Sequence, residues 1–321
     1  MLAAIICFSG LGICCSFGPE ARMPAPSVKS ARFGVAERIG HIEDPRLLEC
    51  SGLEASLTVE DLFWAVNDSG NGPYLYALGS DGRGFGRVKV AGAQNRDWEA
   101  LDAFLWKGRR PMILIADVGD NRAHYPVHTL YVVPEPAFNG TPYAASAEIN
   151  VAWRIRFAYP DGKHDAEAVA VDTISQKVLV LTKRDDPPIL FELPLIPPST
   201  AAPVLAKKTG RVGHIPPPSA ADLLLPYGTY RAQPTALDIS PDGRSAVVLT
   251  YKHAYLFERG AAESWAAAFS AVPVLIPLPL PRQDTGLGQR EAISFAADGR
   301  ALYVTAEGRH AAIYRVPGQT K

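Results

Sequence analysis

Cysteine is scarce in this chain, and its placement is unsuited to disulfides. Of four cysteines, Cys7, Cys14 and Cys15 sit inside one N-terminal apolar stretch, which leaves Cys50 alone in the remainder. A lone thiol excludes a disulfide framework. No catalytic cysteine motif surrounds Cys50, so a small buried hydrophobe is the expected role. An excess of one charge is absent too. The 32 Lys and Arg balance 33 Asp and Glu, which excludes a global basic field for a nucleic-acid polymer and an acidic tail. The seven histidines show no metal-ligand spacing. There is no Gly-x-Ser-x-Gly elbow and no glycine-rich phosphate loop ahead of a helix. Sustained helical periodicity is missing, apart from a weak stretch around Ser219 to Leu225. What is plentiful is 27 Gly and 28 Pro among 321 residues, above the average share of roughly 12%. With 47% hydrophobic residues, the chain reads as a well-cored protein full of turns.

The N-terminus carries an uncharged run of 16 residues, Leu2 to Phe17. It is shorter than the roughly 20 residues of a comfortable membrane span and fits the apolar region of a signal peptide. The usual basic segment ahead of it is missing, since the first Lys or Arg is Arg22. No small residue precedes Cys7, Cys14 or Cys15, which disfavours a lipid anchor. The expected organisation is a signal peptide over residues 1–18 and a Pro-, Ala- and Ser-rich linker over 19–31. A single domain over 32–321 follows. The chain is then exported, periplasmic or secreted, with no stable membrane span once the leader is removed.

A repeat organises the rest. Five short strands open on Ser51, Glu99, Glu167, Thr235 and Glu291, each followed by a small residue or one apolar step. Near-continuous apolar strands then begin at Leu62, Met112, Val178, Ala246 and Ala301, and aromatic-rich strands such as Tyr74-Leu75-Tyr76 and Tyr255-Leu256-Phe257 follow. Weaker strands precede the next opener at Arg87–Ala91, Val151–Phe157, Val204–Lys208 and Val272–Leu278. Asp-Gly pairs at 81, 161, 242 and 298 read as hairpin turns. Four-stranded units repeated radially make an all-β propeller. Five blades are expected, with the strand Phe33 to Ile42 completing the last and closing the ring. A degenerate sixth blade in Thr209 to Gln233 is the alternative.

In such a ring the openers line the axis. Three carboxylates and two hydroxyls then converge: Ser51, Glu99, Glu167, Thr235 and Glu291. Like charges at that range repel unless protonated or neutralised. A hard, oxygen-preferring cation such as Ca2+ resolves this, whereas zinc prefers His and Cys. The competing expectation is that each Glu bonds backbone amides of a neighbouring blade, or pairs with Arg290 or Arg96. The loops between second and third strands share the openers' face. They supply Arg122, Lys183, Arg184, Lys252 and Arg309 for a small anionic ligand, and Asp68 or Asp120 to orient a water. Asp97 and Asp165 stand two residues before a Glu and are placed to support the metal ligands.

Two resemblances bear on this. Asn67-Asp68-Ser69-Gly70, Asp97-Trp98-Glu99-Ala100 and Ala116-Asp117-Val118-Gly119-Asp120-Asn121 look like phrases of a group of bacterial exported propellers related to the esterase-like phytase propellers. That group implies no established substrate. The opener series is similar to that of the calcium-activated nucleotidases (apyrases), five-bladed propellers with Ser and Glu side chains around one calcium. Ser51, Glu99, Glu167 and Glu291 match in type and order, while Thr235 stands where that family has Ser. Lys183-Arg184 falls where it has a phosphate-binding basic loop. The leading expectation is a calcium-dependent hydrolase of phosphate or other esters. The alternatives are a non-catalytic binding propeller stapled by calcium, and a lactonase-type hydrolase, which would need Asn67 and Asn121 to reach inward.

Overall fold

The computed structural model describes residues 33–225, 228–279 and 288–319. The expected signal peptide, 1–18, and the expected linker, 19–31, lie outside the described residues. Five antiparallel sheets form, one per repeat. From the axis outward, blade 1 is Cys50–Ala55, Leu62–Asn67, Tyr74–Gly79 and Gly84–Ala91, and blade 2 is Trp98–Trp106, Arg110–Asp117, His128–Pro134 and Trp153–Ala158. Blade 3 is Ala166–Asp172, Lys177–Thr182, Ile189–Pro194 and Lys207–Arg211, and blade 4 is Pro234–Ile239, Ser245–Thr250, Ala254–Glu258 and Val274–Ile276. Blade 5 takes Arg290–Phe295, Ala301–Ala306 and Ala312–Pro317 from the C-terminal end and its outer strand, Glu37–His41, from the N-terminal end. The inner strands pack each on the next and the last on the first, which closes the ring.

The second strands are apolar through their middles because both faces are covered. Leu62–Asn67, Ser245–Thr250 and Ala301–Ala306 are buried at every residue. The core is accordingly divided into five main wedges, one between each pair of adjacent blades. Cys50 is buried in the wedge between blades 5 and 1 as a free thiol, and burial pushes its pKa up to about 12.

Several expectations are corrected. Thr209 to Gln233 contributes no sixth sheet among the described residues; its end strand belongs to blade 3, and two short 3-10 turns follow, Asp222–Leu224 and Gly228–Tyr230. The segment Val204–Lys208 is divided. Val204–Leu205 pairs parallel with the edge of blade 2, and Lys207–Arg211 is the outer strand of blade 3. Glu148–Asn150 likewise adds a parallel strand to blade 1. These additions cover exposed sheet edges and account for part of the long second and third repeats. Asp161-Gly162 lies in the connection from blade 2 to blade 3 rather than in a hairpin. A short helix, Trp265–Ala268, capped by Ser264, seats Trp265 and Phe269 in the wedge between blades 3 and 4. No helix among the described residues is long and apolar enough to cross a membrane.

Candidate metal centre at the axis

Each opener is a β-bulge. Register with the second strand skips one residue between Cys50 and Gly52, Trp98 and Ala100, Ala166 and Ala168, Pro234 and Ala236, and Arg290 and Ala292. The skipped residues are Ser51, Glu99, Glu167, Thr235 and Glu291. An extra residue in one strand is left out of the ladder and its side chain is re-aimed. Repeated five times around a ring, the device supplies one polar side chain per blade. All five are between 0 and 5% exposed.

The tightest group combines two blades. One carboxylate oxygen from each of Asp68, Asp97 and Glu99 lies within 4.8 Å of the others. Asp68 comes from the blade 1 loop, held by Asn95 Nδ2 donating to the carbonyls of Asn67 and Asp68, each at 3.0 Å. Gly119 closes one side of the group. A Cβ there would lie 2.4 Å from Glu99 Oε1 and 2.5 Å from Asp97 Cγ and Oδ2, so only glycine permits the approach. Burial holds Glu99 well above the usual carboxylate range, reinforced by the charges of Asp68, Asp97 and Glu291 and partly offset by Lys183. Burial also pushes Asp97 up to about 7, with Asp68 adding to the effect.

The other openers surround this group. Glu291 Oε1 accepts from Tyr251 Oη at 2.8 Å, and Glu307 shares a hydrogen bond with Glu291. Burial first, then Glu291, push Glu307 up to about 9. Glu167 is ion-paired through Oε1 with buried Lys183, whose Nζ also lies 5.3 Å from the Tyr251 ring centre. Glu167 Oε2 and Thr235 Oγ1 are buried with no hydrogen-bond partner among the described residues. Ser51 Oγ donates to the carbonyl of Trp98 at 2.6 Å. Neither arginine weighed as a partner for the glutamates takes that role. Arg290 donates to the carbonyls of Tyr251 and Lys252, and Arg96 lies 3.8 Å from Asp117.

The loop residues divide. Asp68 joins the carboxylates. Asp120 is 2% exposed and accepts from the amides of His124 and Tyr125, both at 2.7 Å, which fixes its own loop. Arg184 pairs through Nε with Asp165 Oδ2 at 2.7 Å and bonds Asn121, while Arg122 is exposed. Asn67 bonds Arg46 O and the Glu49 amide within blade 1, and Asn121 is exposed, so the lactonase alternative gains nothing here.

Sequence reasoning placed Tyr251 and Glu307 in the loops after the second strands but gave them no role, although they hold the same repeat position as Asp68 and Lys183. It also missed a second polar ring. Glu54, Asp102, Asp238 and Ser294 stand three residues after the openers of blades 1, 2, 4 and 5, and that constant offset would have found them. Here the amide-bonding role weighed for the openers is realised. Asp102 accepts from the Val171 amide at 2.7 Å, Asp238 from Phe295 at 2.6 Å and Ser294 from Ala55 at 3.1 Å, each in the following blade.

No family model matches the chain, and no curated protein matches it. Solved structures do. A luciferin-regenerating enzyme shares 11% identity at a TM-score of 0.47, covering 88% of this chain and 95% of that one. A gluconolactonase from Xanthomonas campestris shares 12% at 0.46, covering 93% and 99%. A nidogen/laminin complex shares 11% at 0.43, covering 81% and 73%. The first two are β-propellers. At such identity the likeness is one of fold and carries nothing about chemistry.

Proposed function

We propose that the opener end of the channel is a Ca2+ centre and that the chain is an exported hydrolase of phosphate or other esters, acting on a small anionic substrate at that end. The observation that carries the proposal is the convergence of Asp68, Asp97 and Glu99 oxygens within 4.8 Å, in a ring whose Thr235 hydroxyl and Glu167 Oε2 have no partner among the described residues. Oxygen donors of mixed type suit calcium, which takes 6–8 of them. No His or Cys belongs to the group, which disfavours zinc. Ser51, Glu99, Glu167, Thr235 and Glu291 would hold the ion, with Asp97 beside them. When bound, calcium supplies positive charge that polarises a phosphoryl or carbonyl oxygen.

The side chains of this chain supply the remainder. Lys183 and Arg184 place positive charge at the same end for an anionic substrate. Asp68, only half buried, is available to take a proton from water. Asp120 supports the loop that carries Asn121 and Arg122. Export rests on the apolar run Leu2–Phe17.

The test is turnover of p-nitrophenyl phosphate and p-nitrophenyl acetate in calcium and in chelator, with Asp68→Asn beside the parent. The expected result is calcium-dependent turnover that falls roughly a hundredfold or more in Asp68→Asn, while circular dichroism shows the fold retained. Calcium that stabilises the chain without turnover of either ester would instead identify a binding propeller with a structural ion.

A further inference from the structure

A cavity of about 190 Å3 lies between the loop after the second strand of blade 4 and the connection that follows blade 3. Pro216, Pro218, Arg231, Lys252, His253 and Tyr255 are among its walls. Its charges do not balance. Arg231 is 4% exposed, and its protein hydrogen bond is a long one to the Tyr251 carbonyl at 3.4 Å. Fully buried Arg290 donates to the same carbonyl at 2.7 Å. Among the described residues, no carboxylate forms an ion pair with either guanidinium. Lys252 adds a third cation. One carboxylate faces them, Asp222, which pairs with Lys252 Nζ at 2.7 Å and accepts from the Ser219 amide and hydroxyl. His253 Nδ1 accepts from the Leu278 amide at 3.3 Å, which leaves the neutral ring's proton on Nε2 as a further donor.

Two buried guanidiniums converging on one carbonyl without a counter-charge are costly, because a desolvated ion needs a partner. Of these cations Arg231 and Lys252 line the cavity, and against Asp222 they leave a net charge of one, with Arg290 a further buried cation beside them. A phosphate group carries about −1.5 to −2 near neutral pH and offers three or more acceptor oxygens. We propose that this cavity is a phosphate-binding site, formed by Arg231, Lys252 and His253, and distinct from the axial centre. The occupant is free phosphate or the phosphate group of a small metabolite. A planar guanidinium flanked by an ammonium suits either.

Titration of inorganic phosphate into the full chain, in chelator so that no axial calcium takes part, tests this by calorimetry and thermal shift. The expected result is saturable binding, weakened at least tenfold in Arg231→Gln and several-fold in Lys252→Gln, and unchanged in Arg300→Ala, an exposed arginine in the hairpin at the opposite end of blade 5. Lys252 is partly exposed, so its variant decides the matter should Arg231→Gln fail to fold. Competition by a phosphate monoester tighter than phosphate itself would identify the metabolite form, and equal or weaker competition the free ion. Absence of phosphate binding, equal binding in the parent and Lys252→Gln, or an equal loss of binding in Arg300→Ala would overturn the proposal.

Discussion

Glu99 shows how one residue's surroundings decide its chemistry. Its carboxylate lies beside Asp68 and Asp97, feels Glu291, and receives only partial compensation from Lys183. Removing that charge relieves repulsion while removing a ligand. Glu99→Gln should therefore raise the thermal midpoint in chelator and abolish the further rise given by calcium, a pair of opposite changes visible in a single melting series. Gly119 gives a second handle. A methyl group there meets Glu99 Oε1 and Asp97 at 2.4 to 2.5 Å, and those are movable side-chain ends. Gly119→Ala should leave the fold standing and weaken calcium binding about ten- to a hundredfold, as displacing a ligand's support does; calorimetry reads this directly. The openers were legible in sequence because they recur at one place in every repeat. Asp120 was not separable from Asp68, since both are loop aspartates and only the hydrogen bonds to His124 and Tyr125 tell them apart.

Among the elements, the second strands were the most legible, because burial on both faces writes an unbroken apolar run. The bulges at the openers were not, since one extra residue leaves no compositional mark. The small added strands, Glu148–Asn150 and Val204–Leu205, were missed for a related reason: three- and two-residue parallel pairings have no period to read. The helix Trp265–Ala268 is too short for periodicity as well. The N-terminal strand was legible as the piece missing from the last blade. Its seat is close: a Cβ on Gly40 would stand 1.8 Å from the Asp81 carbonyl oxygen, a backbone atom with little room to move. Gly40→Ala should thus dislodge Glu37–His41 from blade 5 and cost about 1–3 kcal/mol by denaturant unfolding, with amide exchange accelerated first in that strand.

For the whole molecule, five wedges and two polar rings divide the labour. The wedges hold blade to blade by apolar burial, and the lower ring laces backbone to carboxylate across blade boundaries. That lacing has a pH signature. Burial pushes Asp238 up to about 7 and raises Glu54 and Asp102, each further raised by the Asp238 charge. Their folded midpoints lie above those of the unfolded chain, so the folded state binds more protons. This contribution to stability is full below about pH 4 and is lost as pH rises through about 7. Thermal midpoints should fall between pH 5 and 8, and fall less in Asp238→Asn. An equal fall in both would assign the pH dependence to other groups. The upper ring carries the central claim, that the openers form a calcium centre. Calcium titrated into the metal-free full chain by calorimetry tests it most directly. One ion per chain should bind at the axis, with stabilisation of about 2.7 kcal/mol at a hundredfold excess over Kd, and that binding should be lost in Glu99→Gln. A chain that binds no calcium, or binds it equally with Gln at position 99, would contradict it.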